Sequence, residues 1–148
     1  MGKVLIAYFS ATGTTEKMAE YIAEGVRFSE QEAVVKEIGD IKDATELTGY
    51  DSYIFGSPTY SQDLPKPVQR FLSTTEKVNL EGKMGGAFGS YKHDAYAPAI
   101  IFDILQNEYS MKPFELGSFN LKEEVVETSE GMKTCQDYGR VFGEKLGS

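Results

Sequence analysis

Between one apolar run and one amphipathic run the chain places Ser10-Ala11-Thr12-Gly13-Thr14-Thr15. Four hydroxyl side chains and a glycine fall within these six residues. A helix starting here would aim its spare backbone N–H groups and the positive end of its dipole at the same spot. Hydroxyls, N–H groups and a glycine turn together suit a phosphate. An N-cap alone asks for one or two such side chains, not four. The patterns GxxxxGK[ST] and GxGxxG are both absent, so the nucleoside-triphosphate loop and the dinucleotide fingerprint are excluded. No Lys or Arg lies within the segment, and Lys17 follows it closely.

Two further segments carry aromatic residues just after apolar runs. The first is Gly56-Ser57-Pro58-Thr59-Tyr60-Ser61-Gln62-Asp63-Leu64-Pro65, with Tyr60 at its tip. The second is Gly89-Ser90-Tyr91-Lys92-His93-Asp94-Ala95-Tyr96. One tyrosine at a loop tip is ordinary. Two such loops flanking a phosphate loop point to a flat ring held between them, and aromatic stacking adds about 0.5–1.5 kcal/mol per pair beyond area burial. His93 has two readings. As a lone histidine it is a surface or packing residue; beside a bound ring it would make that ring's reduction pH-dependent.

Other chemistries are closed off by composition. Among 148 residues there is one cysteine, Cys135, and one histidine. That rules out an intrachain disulfide, a Cys-based metal cluster and a multi-His centre. Cys135 is expected to pack as a small hydrophobe in the last helix. With 15 basic and 23 acidic residues the formal charge is −8, and no Lys/Arg-rich block provides a nucleic-acid footprint. An acidic chain favours basic protein partners instead. No apolar run approaches membrane-spanning length. The opening MGKVLIAYFSATG is too short in apolar residues for a secretory signal, and Ile6 stands where a myristoylation signal needs Ser or Thr.

The elements that must position these loops are legible in the periodicity. Lys3–Phe9 is a continuous apolar run, as in a strand buried on both faces. Glu16–Phe28 is an amphipathic helix with Met18, Ile22, Gly25 and Val26 on one face. Strands follow at Ala33–Ile38, Asp51–Ser57, Lys83–Gly89 and Pro113–Phe119, the last resuming at Val125–Val126. Helices are expected at Pro65–Thr74, Ala97–Tyr109 and Gly131–Leu146. The run Glu123-Glu124-Val125-Val126-Glu127 reads as a solvated edge or loop. Strands alternating with helices make βαβ units and a parallel sheet with helices on both faces. In such a doubly wound sheet, ligands bind beyond the carboxyl ends of the strands.

On these residues the chain resembles a short-chain flavodoxin over its whole length. The Ser-x-Thr-Gly-x-Thr loop that holds the FMN phosphate in that family matches Ser10, Thr12, Gly13 and Thr15, with Ala19 and Ile22 at its small and apolar positions. The family's Thr-aromatic loop matches Thr59-Tyr60. Gly56–Tyr60 and Gly86–Tyr91 are similar to the flavodoxin domain of flavodiiron proteins. Ser61 stands where members often have Gly, and Lys92-His93-Asp94-Ala95 where the flavodiiron-like loop continues Gly-Trp-Ser-Gly. Either Tyr91 or Tyr96 is then the second stacking ring. The peptide after the loop aromatic, here Ser61–Gln62, turns over on reduction in flavodoxins.

The resemblance implies one α/β domain over residues 1–148: a doubly wound, five-stranded parallel sheet, flavodoxin-like, of strand order 2-1-3-4-5. It implies FMN held without covalent attachment by Ser10, Ala11, Thr12, Gly13, Thr14, Thr15, Pro58, Thr59, Tyr60, Ser61, Gln62, Gly89, Ser90, Tyr91, Lys92 and His93. No catalytic residue and no metal ligand are expected. The implied protein is a cytoplasmic, monomeric electron carrier serving redox proteins with basic docking surfaces. The alternative on this fold is an FMN-dependent NAD(P)H:quinone-type reductase, whose chains are usually longer and dimeric. A phosphorylation-switched signalling domain would need Asp at the end of the first or third strand, where Ser10 and Ser57 stand.

Overall fold

Alternation along the first apolar run decides the layering. In the computed structural model, which describes residues 2–60 and 63–148, this run forms β1 (Lys3–Tyr8). Val4, Ile6 and Tyr8 pack on one face with α1 (Thr14–Phe28) and α5 (Ser129–Leu146), through Met18, Ile22, Cys135 and Phe142. Leu5 and Ala7 pack on the other with α2 (Lys66–Thr75) and α3 (Ala97–Asn107), through Phe71, Leu72, Ile101 and Leu105. A strand covered on both sides has no polar face, which is why the run is apolar throughout.

The remaining strands are β2 (Glu32–Glu37), β3 (Ser52–Gly56), β4 (Met84–Tyr91) and β5 (Lys112–Lys122). All neighbours pair in parallel, in the order β2-β1-β3-β4-β5. The chain moves outward from β1 to β2, then crosses back to β3 through two short 3₁₀ turns, Ile38–Asp40 and Ala44–Leu47. The order therefore reverses between β1 and β3, and a crevice opens beyond their carboxyl ends.

Three of the differences from the sequence reading have a visible cause. Helix α1 starts at Thr14 rather than Glu16, because Gly13 turns the chain at φ 92° and its carbonyl accepts the first helical bond, from Lys17 N–H (3.1 Å). Strand β4 continues to Tyr91, because Gly89, Ser90 and Tyr91 pair with Asn120, Leu121 and Lys122. Val125–Val126 do not resume β5. They belong to a short helix, α4 (Glu123–Val126), whose Val126 is buried against the α1/α5 face.

Two local features shape the framework. Helices α1 and α5 touch at backbone distance. A Cβ on Gly25 would run into the Gln136 carbonyl, and one on Gly139 into the Ile22 carbonyl. Strand β5 bulges opposite β4: between the pairs Gly85–Pro113 and Ala87–Ser118, the single residue Gly86 faces Phe114–Gly117. Gly117, at φ 70°, makes the turn. The buried Tyr138 phenol fills the gap, donating to the Gly117 carbonyl (2.6 Å) and accepting from Ala87 N–H (3.3 Å).

Cys135 is fully buried on α5. Burial pushes its thiol up to about 12, so the nucleophilic thiolate is scarce at neutral pH. A thiol reagent should leave the native protein unlabelled and modify it only at the rate of unfolding in urea. Rapid labelling in buffer would refute the packing role.

Candidate functional site

The phosphate-loop candidate is a shaped turn between β1 and α1. Ser10 Oγ accepts from Gly13 N–H (2.9 Å), and the exposed Thr12 and Thr14 hydroxyls lie 3.4 Å apart. The N–H groups of Thr14, Thr15 and Glu16 precede the first helical bond and are spare. Tyr8, at the end of β1, donates to the Glu16 carboxylate (2.8 Å) and so pins the helix start to the strand end. Burial first, and then that bond with nearby Glu37 and Glu20, hold the Tyr8 phenol far above its usual range. Lys17 is turned away to Glu127 (3.0 Å), which raises its pKa. The turn thus presents dipoles and hydroxyls, with no ammonium among them.

Beyond it opens a cleft of about 580 Å³ lined by Thr12, Pro58, Thr59, Tyr60, Ser90, Tyr91, Lys92, His93, Asp94 and Glu123. Its walls are tied together. The buried Thr15 and Ser90 hydroxyls are 2.8 Å apart, linking the start of α1 to the end of β4. Thr59 joins the segment after β3 to the rest: its N–H donates to the Ser90 carbonyl (3.4 Å), and its Oγ1 accepts from Ala97 N–H at the start of α3 (3.0 Å). Tyr60 is 43% exposed at the rim. Burial of the phenol, then the Glu123 carboxylate, raise its pKa. Lys92 Nζ lies 3.9 Å from Glu123 Oε2.

The sequence-predicted residues divide as follows. Thr12, Pro58, Thr59, Tyr60, Ser90, Tyr91, Lys92 and His93 line the cleft. Ser10, Ala11, Gly13, Thr14 and Thr15 form the adjoining turn and first helical residues. Gly89 is buried behind them, where a Cβ would run into the Ser57 carbonyl. Ser61 and Gln62 lie outside the described residues. They sit between Tyr60 and Asp63, whose N–H donates to the Tyr60 carbonyl (3.0 Å). Of the two alternative tyrosines, Tyr91 lines the cleft, whereas Tyr96 is exposed at the start of α3. Asp94 and Glu123 also line the cleft and were not among the predicted residues. Glu123 was read as part of a solvated acidic run; it is half-buried, its side chain 28% exposed. The usable signal was its place directly after a strand, at the carboxyl edge.

Among the described residues no group of three His, Cys, Asp or Glu side chains is placed to hold a metal. Among the same described residues, no helix is long and apolar enough to cross a membrane.

A family model described as "Flavodoxin domain" matches residues 5–119. "Probable flavodoxin 1" of Bacillus subtilis (strain 168) is 31% identical over 147 residues, covering 96% of this chain and 90% of that one. The solved structure of a flavodoxin from the domain Archaea superposes with a TM-score of 0.87 at 28% identity, covering 99% of both chains. The flavodiiron protein from Giardia intestinalis shares the fold alone: TM-score 0.83 at 24% identity, over 97% of this chain and 36% of that one. A family match over most of the chain, joined to this strand order, makes the chain a member of the flavodoxin family, FMN-binding carriers of electrons.

Proposed function

We propose that the chain binds one FMN in the cleft and passes single electrons between redox proteins that present basic surfaces. The observation that carries this is the Thr15–Ser90 link, which joins a dipolar phosphate cradle to a cleft lined by two tyrosines. When bound, FMN supplies the redox chemistry and the protein supplies binding, orientation and electrostatics. The spare N–H groups of Thr14, Thr15 and Glu16, with the Thr12 and Thr14 hydroxyls, would hold the phosphate at the positive end of α1. Tyr60 and Tyr91 would cover the ring. Lys17, engaged by Glu127, leaves the cradle without a cation for a second phosphate, which favours FMN over a dinucleotide. The charge of −8 favours basic partners. A monomer working in the cytoplasm completes the reading.

The test is a mass measurement on the cofactor released by heat, followed by an assay of NAD(P)H oxidation with a quinone. FMN near one per chain is expected, with no steady oxidation until a partner reductase is added. Stoichiometric FAD, or sustained NAD(P)H:quinone turnover by the chain alone, would overturn the reading.

A further inference from the structure

The cleft contains the chain's single histidine. His93 lies between Lys92 and Asp94 in the segment after β4. These three line the cleft with Tyr91 of β4, Tyr60 of the segment after β3, and Glu123 of α4. The other lining residues are uncharged. Lys92 faces Glu123 at 3.9 Å, so those two charges oppose one another directly. The Tyr60 phenol, raised by burial and by Glu123, stays neutral. Histidine is the side-chain type whose ordinary charge change falls between pH 5 and 8. With His93 neutral, one Lys against Asp94 and Glu123 leaves the cleft at −1; with His93 protonated the charges cancel.

We propose that His93 is a proton switch that sets how strongly the site favours the reduced, anionic form of its cofactor. The inference rests on FMN occupying the cleft. Two electrons and one proton convert oxidised FMN to its anionic reduced form, so the bound group gains a negative charge. A nearby imidazolium attracts that charge and a neutral imidazole does not. The coupling is reciprocal: reduction of the cofactor raises the proton affinity of His93 by the same factor by which the proton favours the reduced cofactor over the oxidised one. The preference is therefore complete below the His93 pKa of the oxidised protein. It is lost as pH rises through the higher pKa of the reduced protein. His93 is exposed, so water and salt screen the interaction, and about 3- to 10-fold is expected.

Proton NMR of the holoprotein tests this directly, because a single histidine gives a single C2–H titration. The expected result is a midpoint higher by about half to one pH unit after reduction with dithionite than before it. His93→Gln should bind the reduced cofactor about 3- to 10-fold more weakly than wild type at about pH 5.5. That corresponds to a second one-electron potential lower by about 30–60 mV. The gap between the two proteins should narrow by that same factor between about pH 5.5 and about pH 8.5. Equal His93 midpoints in the two redox states, with FMN bound, would overturn the switch and leave the functional reading standing. A chain that takes up no FMN would bring down both.

Discussion

Replacing Thr15 by valine is expected to weaken FMN binding about 10- to 150-fold and to lower the stability of the apoprotein by about 1–3 kcal/mol. Valine keeps the shape of threonine and removes only hydrogen-bonding capacity. In the fold, Thr15 Oγ1 and Ser90 Oγ are buried partners 2.8 Å apart. Losing one leaves the other desolvated and unpaired, which is the larger part of the stability cost. The affinity loss has a separate origin. Either hydroxyl can donate in this pair; when Ser90 donates, the Thr15 proton is released for a phosphate oxygen. One hydrogen bond to a charged group contributes roughly 1.5–3 kcal/mol. Thr12→Ala is the control, because Thr12 is exposed and its contact with Thr14 is long, at 3.4 Å. It should weaken FMN binding with little change in stability. Quenching of FMN fluorescence gives the dissociation constants, and urea unfolding of the apoprotein gives the stabilities. Equal affinities of Thr15→Val and wild type would remove Thr15 from the cradle.

Gly139→Ala is expected to destabilise the fold by about 3 kcal/mol, even though intrinsic propensity predicts the opposite sign. Alanine is better than glycine in a helix interior by about 1 kcal/mol. At this position, however, the new Cβ meets the Ile22 carbonyl of α1, a backbone atom that no side-chain rotation can move. The two helices must separate, opening the contacts of Ile22, Val26, Cys135 and Phe142 beneath them. Overpacking of a tight core costs about 1–3 kcal/mol and occasionally more. For a chain of this size that is a fall in melting temperature of about 2–4 °C per kcal/mol. Gly143→Ala gives an internal contrast: its Cβ first meets the Ser29 hydroxyl, which can rotate away. A melting temperature for Gly139→Ala at or above wild type would show that α1 and α5 slide apart without loss.

The sequence carried the site further than it carried its borders. Ser10–Thr15 was legible because a dipolar cradle needs a dense local set of hydroxyls and a glycine, all within one segment. The five-strand alternation was legible because burial on both faces leaves uninterrupted apolar runs such as Val4–Tyr8. What was not legible depends on partners distant in the chain. Tyr91 reads as a loop residue until Lys122 is brought beside it. Val125–Val126 have strand-forming side chains, yet Val126 is buried in the α1/α5 core and so belongs to a helical turn. Glu123 reads as one of several solvated carboxylates; only folding brings it against Lys92 and into the cleft with Tyr60. Local pattern says nothing about such meetings.

The irregularity in β5 has a consequence for encounters between copies of the chain. β5 closes one side of the sheet, and an open strand edge is a template on which another polypeptide can add its own strand. Here Phe114–Gly117 swell away from a single opposing residue, breaking the even spacing of outward N–H and C=O groups. An incoming strand could follow Lys112–Pro113 or Ser118–Lys122, but not both in one register. The left-handed turn at Gly117 adds a bend that an extended segment cannot follow. The bulge thus guards this edge of the sheet against growth by strand addition.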